Sequence, residues 1–360
     1  MNLTRRDLAR IAAVGAALRV APALRAANDD RRVGYCIIGL GRISMDHFMP
    51  AVKMSRHARI TGIVSGHREK AEKIAAEYGV PPSSIYDYRN CDRMADNKDI
   101  DAVYVALPNS MHAEYTVRSA KAGKHVLCEK PMAISVDECE RMIAACRRAE
   151  RKLMIAYRCH LEPTNLRAIQ LIREGRLGAI QAIESAFGFP IERGEWRLSK
   201  KMAGGGPLMD VGIYSLNACR YLTGEEPVSV EGSTSVVDKD GRFAEVEENV
   251  SWTMKFPSGA VASCTTTYGG VLSGYFRVHG SKAEMVAQPA FNYDGLHLEV
   301  SAYGPPLISE SNPARDPYQF LAEADHFAEC ILENKEPVTT GEEGLRDMRL
   351  MEAIYRSAGR

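Results

Sequence analysis

The chain has no surplus of charge: Lys and Arg together number 46 of its 360 residues, and so do Asp and Glu. A field that sums to nothing gives no reason to expect nucleic acid or an anionic membrane as partner. The chain also has no C-x-x-C pair. Its nine cysteines, Cys36, Cys91, Cys128, Cys139, Cys146, Cys159, Cys219, Cys264 and Cys330, are scattered, several inside apolar runs. They read as small core residues, which excludes a disulfide frame and a zinc site, and no metal is expected. Internal repeats and low-complexity tracts are absent, which excludes repeat architectures. What remains is a soluble protein that handles a small molecule, and the length suits two domains at roughly 100–200 residues each.

Residues 1–27 depart from this composition. Thr4-Arg5-Arg6-Asp7-Leu8 precedes a weakly apolar stretch over 8–20 and then small residues over 21–27. The stretch is short and broken by Arg10 and Arg19, so it does not span a bilayer permanently. It looks like a twin-arginine export signal with cleavage near Ala26 or Ala27, the alternative being an ordinary amphipathic helix. Export by that route delivers a folded protein to the periplasm, with its thiols already buried.

Behind the signal, apolar runs alternate with helical patterns. Runs at 33–38, 59–64, 102–106, 125–128 and 153–156 are nearly continuous, as strands of a parallel sheet covered on both faces are. The helix expected over 135–151 opens with a capping box, Ser135 followed by Glu138. The rhythm changes beyond Tyr157. After a helix at 163–173, strand-like runs follow at 179–187, 228–236, 245–256, 260–268, 275–279 and 296–300, joined directly by turns such as Pro257-Ser258-Gly259. Such connections predict a largely antiparallel sheet. Helical patterns over 318–334 and 341–358 close the chain. The expected fold class is α/β: a Rossmann dinucleotide-binding domain over 31–157, then an α/β domain with a large, open, mostly antiparallel sheet over 158–360. The last helix is free to pack back on the first domain.

Gly39-Leu40-Gly41-Arg42-Ile43-Ser44 directly follows the first strand and opens a helix. In that setting the first glycine permits a tight turn and the second lets backbone approach a pyrophosphate. The helix N-terminus then favours the negative charge. Ser44 stands where a third glycine is usual. At the end of the second strand, an acidic residue would accept hydrogen bonds from a ribose 2′-hydroxyl. The segment Ser65-Gly66-His67-Arg68-Glu69-Lys70 offers a hydroxyl and two cations instead, which suits the 2′-phosphate of NADP, unless Arg68 or Lys70 merely opens a solvated helix. Glu129-Lys130-Pro131 puts a lysine at the carboxyl end of a parallel strand, where open α/β sheets bind ligands. Asp210 and Tyr214, following Gly204-Gly205-Gly206, are spaced i and i+4 at a helix start, so both can face one site. The competing role is structural, with Asp210 a helix cap and Tyr214 a packing residue.

Together the glycine turn, Leu107-Pro108-Asn109-Ser110-Met111-His112, Glu129-Lys130-Pro131 and the Asp210/Tyr214 pair resemble the Gfo/Idh/MocA oxidoreductases. Further likeness to the glucose-fructose oxidoreductase branch lies in residues 65–70, 122–132, Tyr157-Arg158-Cys159-His160, Trp196-Arg197-Leu198 and Gly341-Glu342-Glu343-Gly344. Most of the wider family resembles Asp-x-x-x-His; Tyr214 in the His place points to the sugar-acting branch.

The resemblance implies NADP held tightly enough to be recycled in place and a homo-oligomer, dimer or tetramer, formed through the open sheet. It makes Lys130, Asp210 and Tyr214 catalytic. Cofactor contacts fall to Gly39, Leu40, Gly41, Arg42, Ile43, Ser65, Arg68, Lys70, Tyr88, Leu107, Pro108, Asn109, His112, Glu129, Lys130, Arg158, Trp196, Arg197 and Tyr293. The implied reaction is ping-pong oxidation of an aldose at C1 to its lactone, then reduction of a second sugar to a polyol. In it Tyr214, its pKa lowered by the Lys130 ammonium, moves the proton. A conventional sugar, inositol or anhydro-sugar dehydrogenase would release its cofactor on dilution. A nicotinamide-dependent glycosidase would cleave aryl glycosides, and a non-catalytic sugar sensor would leave bound cofactor unreduced by any sugar. Two segments are short for this branch: the arm at 27–32 and the loop at 188–195.

Overall fold

Both faces of the first sheet are covered, and its strands are predominantly apolar for that reason. The computed structural model describes residues 31–360, so the expected export signal lies outside the described residues. Strands β1 (Val33–Ile38), β2 (Ala58–Val64), β3 (Ile85–Tyr86), β4 (Ala102–Val105), β5 (His125–Glu129) and β6 (Leu153–Ala156) form a parallel sheet in the order β3-β2-β1-β4-β5-β6. This is the dinucleotide-binding order, whose crevice opens where the winding reverses, at the carboxyl ends of β1 and β4. The expected strands form with ends moved by a residue at most. The two-residue β3 was not anticipated, because so short a run carries no periodicity.

Helices α1 (Met49–Met54), α2 (Arg68–Tyr78), α3 (Asn109–Lys121) and α4 (Val136–Arg148) belong to this half; a π-helical turn, Ile43–Phe48, runs directly into α1. The Ser135 side chain caps α4 by accepting from Glu138 N at 3.3 Å. The Glu138 carboxylate reaches back to Ile134 N, one residue before the cap.

In the second half, α5 (Pro163–Arg173), α6 (Lys200–Ala203) and α7 (Ile213–Thr223) accompany an eight-stranded sheet. Its strands are β7 (Ile180–Gly188), β8 (Ser229–Ser235), β9 (Asn249–Lys255), β10 (Val261–Thr267), β11 (Leu272–Gly280), β12 (Glu284–Ala287), β13 (His297–Ser301) and β14 (Ile308–Ser311). The order is β14-β13-β12-β11-β7-β10-β9-β8, antiparallel except where β10 lies parallel to β7. Along β9 and β10 burial alternates strictly: Val250, Trp252, Met254, Ala262 and Cys264 face the helices, while Ser251, Thr253, Ser263 and Thr265 face outward. The four-residue β12 and β14 escaped the sequence reading.

The last two helices complete the first half. Phe320, Ala324, Phe327 and Ala328 of α8 (Tyr318–Leu332) join the core that covers Tyr35 and Ile37, and Tyr35 OH donates to Ala324 O at 3.1 Å. Helix α9 (Gly341–Ser357) packs on α4, with Val136 N donating to Glu352 Oε1 at 2.9 Å. Just before α9, Thr340 pairs with Met154 on the edge strand β6. All nine cysteines are buried and unbonded, the nearest pair, Cys219 and Cys264, having sulfurs 3.6 Å apart.

Candidate active site

The turn after β1 requires glycine first. Gly39 has φ +102°, and a Cβ there would stand 2.4 Å from Ala106 O. At Gly41 an added Cβ would meet nothing within 4 Å, so this amide edge faces open cleft. Ser44 fills the third-glycine place by donating its hydroxyl to Gly39 O at 2.7 Å, which ties the first helical turn to the strand end. The backbone cradle therefore fits a dinucleotide phosphate.

A cavity of about 990 Å³ runs from this turn into the second half. Of the residues expected at the cofactor, Gly41, Arg42, Ile43, Leu107, Pro108, Asn109, His112, Glu129, Lys130, Arg158, Trp196, Arg197 and Tyr293 line it. Two of these spend polar atoms on architecture. Asn109 donates to Ala203 O at 2.9 Å. His112 is buried, with ring nitrogens 2.8 Å from Leu107 O and 2.9 Å from Pro131 O, so it joins the β4 and β5 loops.

Gly39 and Leu40 lie behind the turn, and Ser65, Arg68, Lys70 and Tyr88 group at the end of β2, outside the cavity. The two cations differ. Lys70 Nζ reaches the glycine turn itself, donating to Leu40 O at 2.7 Å. Arg68 is engaged by Glu72 at 2.6 Å and by Ile85 O at 3.3 Å, the pairing of a helix start.

Asp210 sits in a π-helical turn, Leu208–Gly212, that leads into α7, instead of in the first α-helical turn expected. It caps nothing. The turn is held from behind: Gly206 N donates to Glu247 Oε1 at 3.0 Å, and a Cβ on Gly206 would stand 2.4 Å from Glu247 O, so only glycine allows this approach. Lys130 Nζ donates to Asp210 O at 2.7 Å and lies 3.4 Å from its Oδ1. Tyr268 OH donates to Oδ2 at 2.9 Å, and Arg197 Nε stands 3.0 Å from the same oxygen. Burial alone would raise the Asp210 carboxyl; Lys130, Arg197 and the Tyr268 hydroxyl outweigh it and hold the pKa below the ordinary value. Asp210 is thus an anion held in place by three side chains.

Tyr214 corrects one expectation. Its pKa is raised, by burial first, and the cation opposing that rise is Arg158. Lys130 Nζ lies over the face of the ring, 4.7 Å from its centroid, and its hydrogen bonds go to Asp210. Arg158 is buried between the rings of Tyr214 (4.9 Å) and Tyr293 (4.6 Å), and donates through Nη1 to Asn292 O and Gln319 Oε1. Phe187 and Phe291 complete an aromatic wall around the phenol, 5.6 and 5.7 Å from its ring.

Sequence reasoning missed three contributors. Tyr268 ends the buried alternation Ala262, Cys264, Thr266, so strand parity alone places it on the Asp210 face. Glu323 falls on the buried stripe of α8 with Phe320 and Phe327, a carboxyl where the pattern calls for carbon. It lines the cavity, and burial together with Glu129 pushes its pKa well up. Glu129 in turn accepts from Tyr104 OH at 2.5 Å. The third, Glu195, pairs with Arg42 at 2.7 Å, and both line the cavity.

Residues 33–157 match the family model described as an oxidoreductase family with an NAD-binding Rossmann fold, GFO_IDH_MocA, and residues 165–286 match the GFO/IDH/MocA C-terminal domain. The chain is 33% identical over 336 residues to D-xylose 1-dehydrogenase (NADP+) of Haloarcula marismortui, covering 91% of this chain and 92% of that protein. A second D-xylose 1-dehydrogenase, from Haloferax volcanii, is 31% identical, with 90% and 97% covered. Among solved structures, an aldose-aldose oxidoreductase from Caulobacter crescentus, complexed with glycerol, superposes with a TM-score of 0.88 at 46% identity, covering 92% of this chain and 99% of that one.

Proposed function

This chain belongs to the Gfo/Idh/MocA oxidoreductase family, and we propose that it is an NADP-dependent sugar oxidoreductase that keeps its cofactor, oxidises an aldose at C1 to the lactone and reduces a second sugar to a polyol. The observation that carries the reading is Asp210, an anion fixed by Lys130, Arg197 and Tyr268 and set four residues before Tyr214 on the wall of one cavity. The likeness to the Caulobacter aldose-aldose oxidoreductase and to two NADP-dependent xylose dehydrogenases supports the sugar and the cofactor. Lys70, anchored on the glycine turn at the end of β2, supports the 2′-phosphate.

Bound nicotinamide supplies the hydride acceptor and, once reduced, the donor. Asp210 and Lys130 orient the sugar hydroxyls. The same phenol serves both halves of a ping-pong cycle: Tyr214 gives its proton to the new alkoxide in the reducing half and must be ionised to take one from the aldose in the oxidising half. Burial keeps it protonated at rest, and Arg158 is the cation beside the phenolate when it forms. The aromatic wall excludes water from the transfer.

Three features support retention and place. Arg42, next to Gly41, pairs with Glu195 of the second half, and this link between the two sides of the cavity lining supports retention. Thr4-Arg5-Arg6 supports twin-arginine export to the periplasm, a compartment where lost cofactor is not replaced. The outward face of the eight-stranded sheet, lined along β9 and β10 by exposed Ser and Thr residues, supports homo-oligomer contact. Cell fractionation of the wild type and of an Arg5→Lys/Arg6→Lys variant tests the export; light scattering tests the assembly.

The xylose dehydrogenase likeness favours one second reading, a conventional sugar dehydrogenase with exchangeable cofactor. Desalting separates them: retention of NADP(H) supports the proposal, and release on dilution supports the dehydrogenase.

A further inference from the structure

Among the buried polar atoms of the cavity wall that have no hydrogen-bond partner are Arg158 Nε, a donor, and both oxygens of the Glu323 carboxyl; of the others, Arg197 Nε is ion-paired with Asp210 and Asp316 still pairs with His47 through its second oxygen. Neither Arg158 nor Glu323 is idle by neglect. Arg158 is only 4% exposed, stacked between two tyrosines, with its terminal nitrogens committed to backbone carbonyls and Gln319. Glu323 is 0% exposed, on the buried stripe of α8 between Phe320 and Phe327, with Gln319 one turn before it already bonded to Arg158. A buried carboxyl with nothing to bond costs stability, and native structures seldom keep one without a use.

The two orphans lie at the end of the cavity formed by Glu129 and Ala156, which are the carboxyl ends of β5 and β6. That is the far side of the sheet from β2, where Lys70 stands. A dinucleotide laid across the glycine turn with its 2′-phosphate toward Lys70 therefore has its nicotinamide at this end.

We propose that Glu323 is a cofactor-binding residue that accepts a hydrogen bond from the carboxamide NH2 of the nicotinamide, while Arg158 Nε donates to the carboxamide oxygen. The inference rests on the reading of the protein as a nicotinamide enzyme. A carboxamide carries one acceptor and one donor group on a single carbon, the complement of the orphaned pair. Burial and Glu129 push the Glu323 pKa up against the nearby Arg158, which favours the neutral form, the form that offers the amide a carbonyl oxygen without a charge beside the ring. The position is found through its unmet oxygens on a largely apolar helix stripe.

The test is an exchange carried to equilibrium, by repeated dialysis against excess nucleotide until the bound ratio no longer changes. Purified protein is dialysed against an equimolar mixture of NADP and its acetylpyridine analogue, in which a methyl replaces the carboxamide NH2, and the bound nucleotides are quantified by chromatography. Wild type is expected to retain NADP over the analogue by roughly tenfold, as a site built around a polar group rejects its apolar replacement. Glu323→Leu is expected to bring the ratio near unity, and Glu323→Gln, which keeps one carbonyl acceptor, to hold most of the preference. A Glu323→Leu protein with the wild-type ratio would overturn the assignment while leaving the enzyme reading intact. Wild type that binds neither nucleotide would overturn both. Should Glu323→Leu fail to fold, Glu323→Ser decides by the same ratio.

Discussion

Lys130 grips Asp210 twice, donating to its backbone carbonyl at 2.7 Å while standing 3.4 Å from its carboxylate. The end of β5 is thereby locked to the turn before α7, and one lysine spans the two halves of the molecule where the cavity needs them in register. Replacing Asp210 with Asn keeps the shape and removes the charge that Lys130, Arg197 and Tyr268 converge on. Charge-assisted hydrogen bonds contribute roughly 1.5–3 kcal/mol. Asp210→Asn is expected to raise the sugar KM by about 10- to 100-fold, with bound NADP unchanged; steady-state kinetics beside cofactor content checks it.

Tyr214→Phe should retain the cofactor and lose turnover by at least about 100-fold, the usual worth of a positioned proton donor. The pH dependence follows from the sign of the shift. A phenol raised by burial is protonated through the neutral range, so the sugar-reducing half should be nearly flat there. The aldose-oxidising half needs the phenolate and should climb steadily with pH. Single-turnover rates of the two halves from pH 6 to 10 test this; a plateau of the oxidising half near neutrality would restore a lowered phenol pKa.

Cofactor choice should depend on Lys70 far more than on Arg68, because Lys70 is anchored on the glycine turn whereas Arg68 is engaged by Glu72. Lys70→Glu is expected to reverse the preference between NADP and NAD, and Arg68→Ala to shift it about threefold or less, in keeping with a side chain in an exposed ion pair. Equilibrium exchange of the two nucleotides reads both ratios.

Acid sensitivity should come in part from His125. Burial first, then Arg151 and Lys152, lower its pKa from 6.5 to about 4, and its Nδ1 accepts from Lys152 N at 3.0 Å. The folded state thus binds this proton less readily than the unfolded chain. Its contribution is complete above pH 6.5 and is lost as pH falls toward 4. Partial exposure of the ring limits the loss to about 2 kcal/mol. His125→Gln, which still accepts from Lys152 N, should reduce the fall in unfolding free energy between pH 7 and 4 by that amount, read from denaturant titrations at each pH.

Five of the six strands of the parallel sheet were legible because they are mostly apolar runs, and most of the second sheet because its strands alternate. Lys130, Asp210 and Tyr214 were legible as strand-end and helix-start positions, and the structure brings all three to one cavity. Their electrostatics were not. Whether Lys130 or Arg158 stands beside the phenol depends on side-chain directions set by packing, which spacing does not carry. The strands at Ile85–Tyr86 and Ile308–Ser311 escaped because they are held by their neighbours in the sheet, not by pattern. The pair Arg42–Glu195 joins residues 153 apart in sequence. Glu323 was hidden because an isolated carboxyl on a long helix usually faces solvent.

The central claim, a sugar oxidoreductase recycling a retained nicotinamide, is tested most directly by absorbance. Purified, desalted protein is followed in the reduced-nicotinamide band while aldoses, then ketoses or further aldoses, are added with no free cofactor. The account predicts that an aldose raises the band in proportion to protein and that a second sugar returns it to baseline. Protein that shows no band change with any sugar, yet responds once free NADP is supplied, would contradict it.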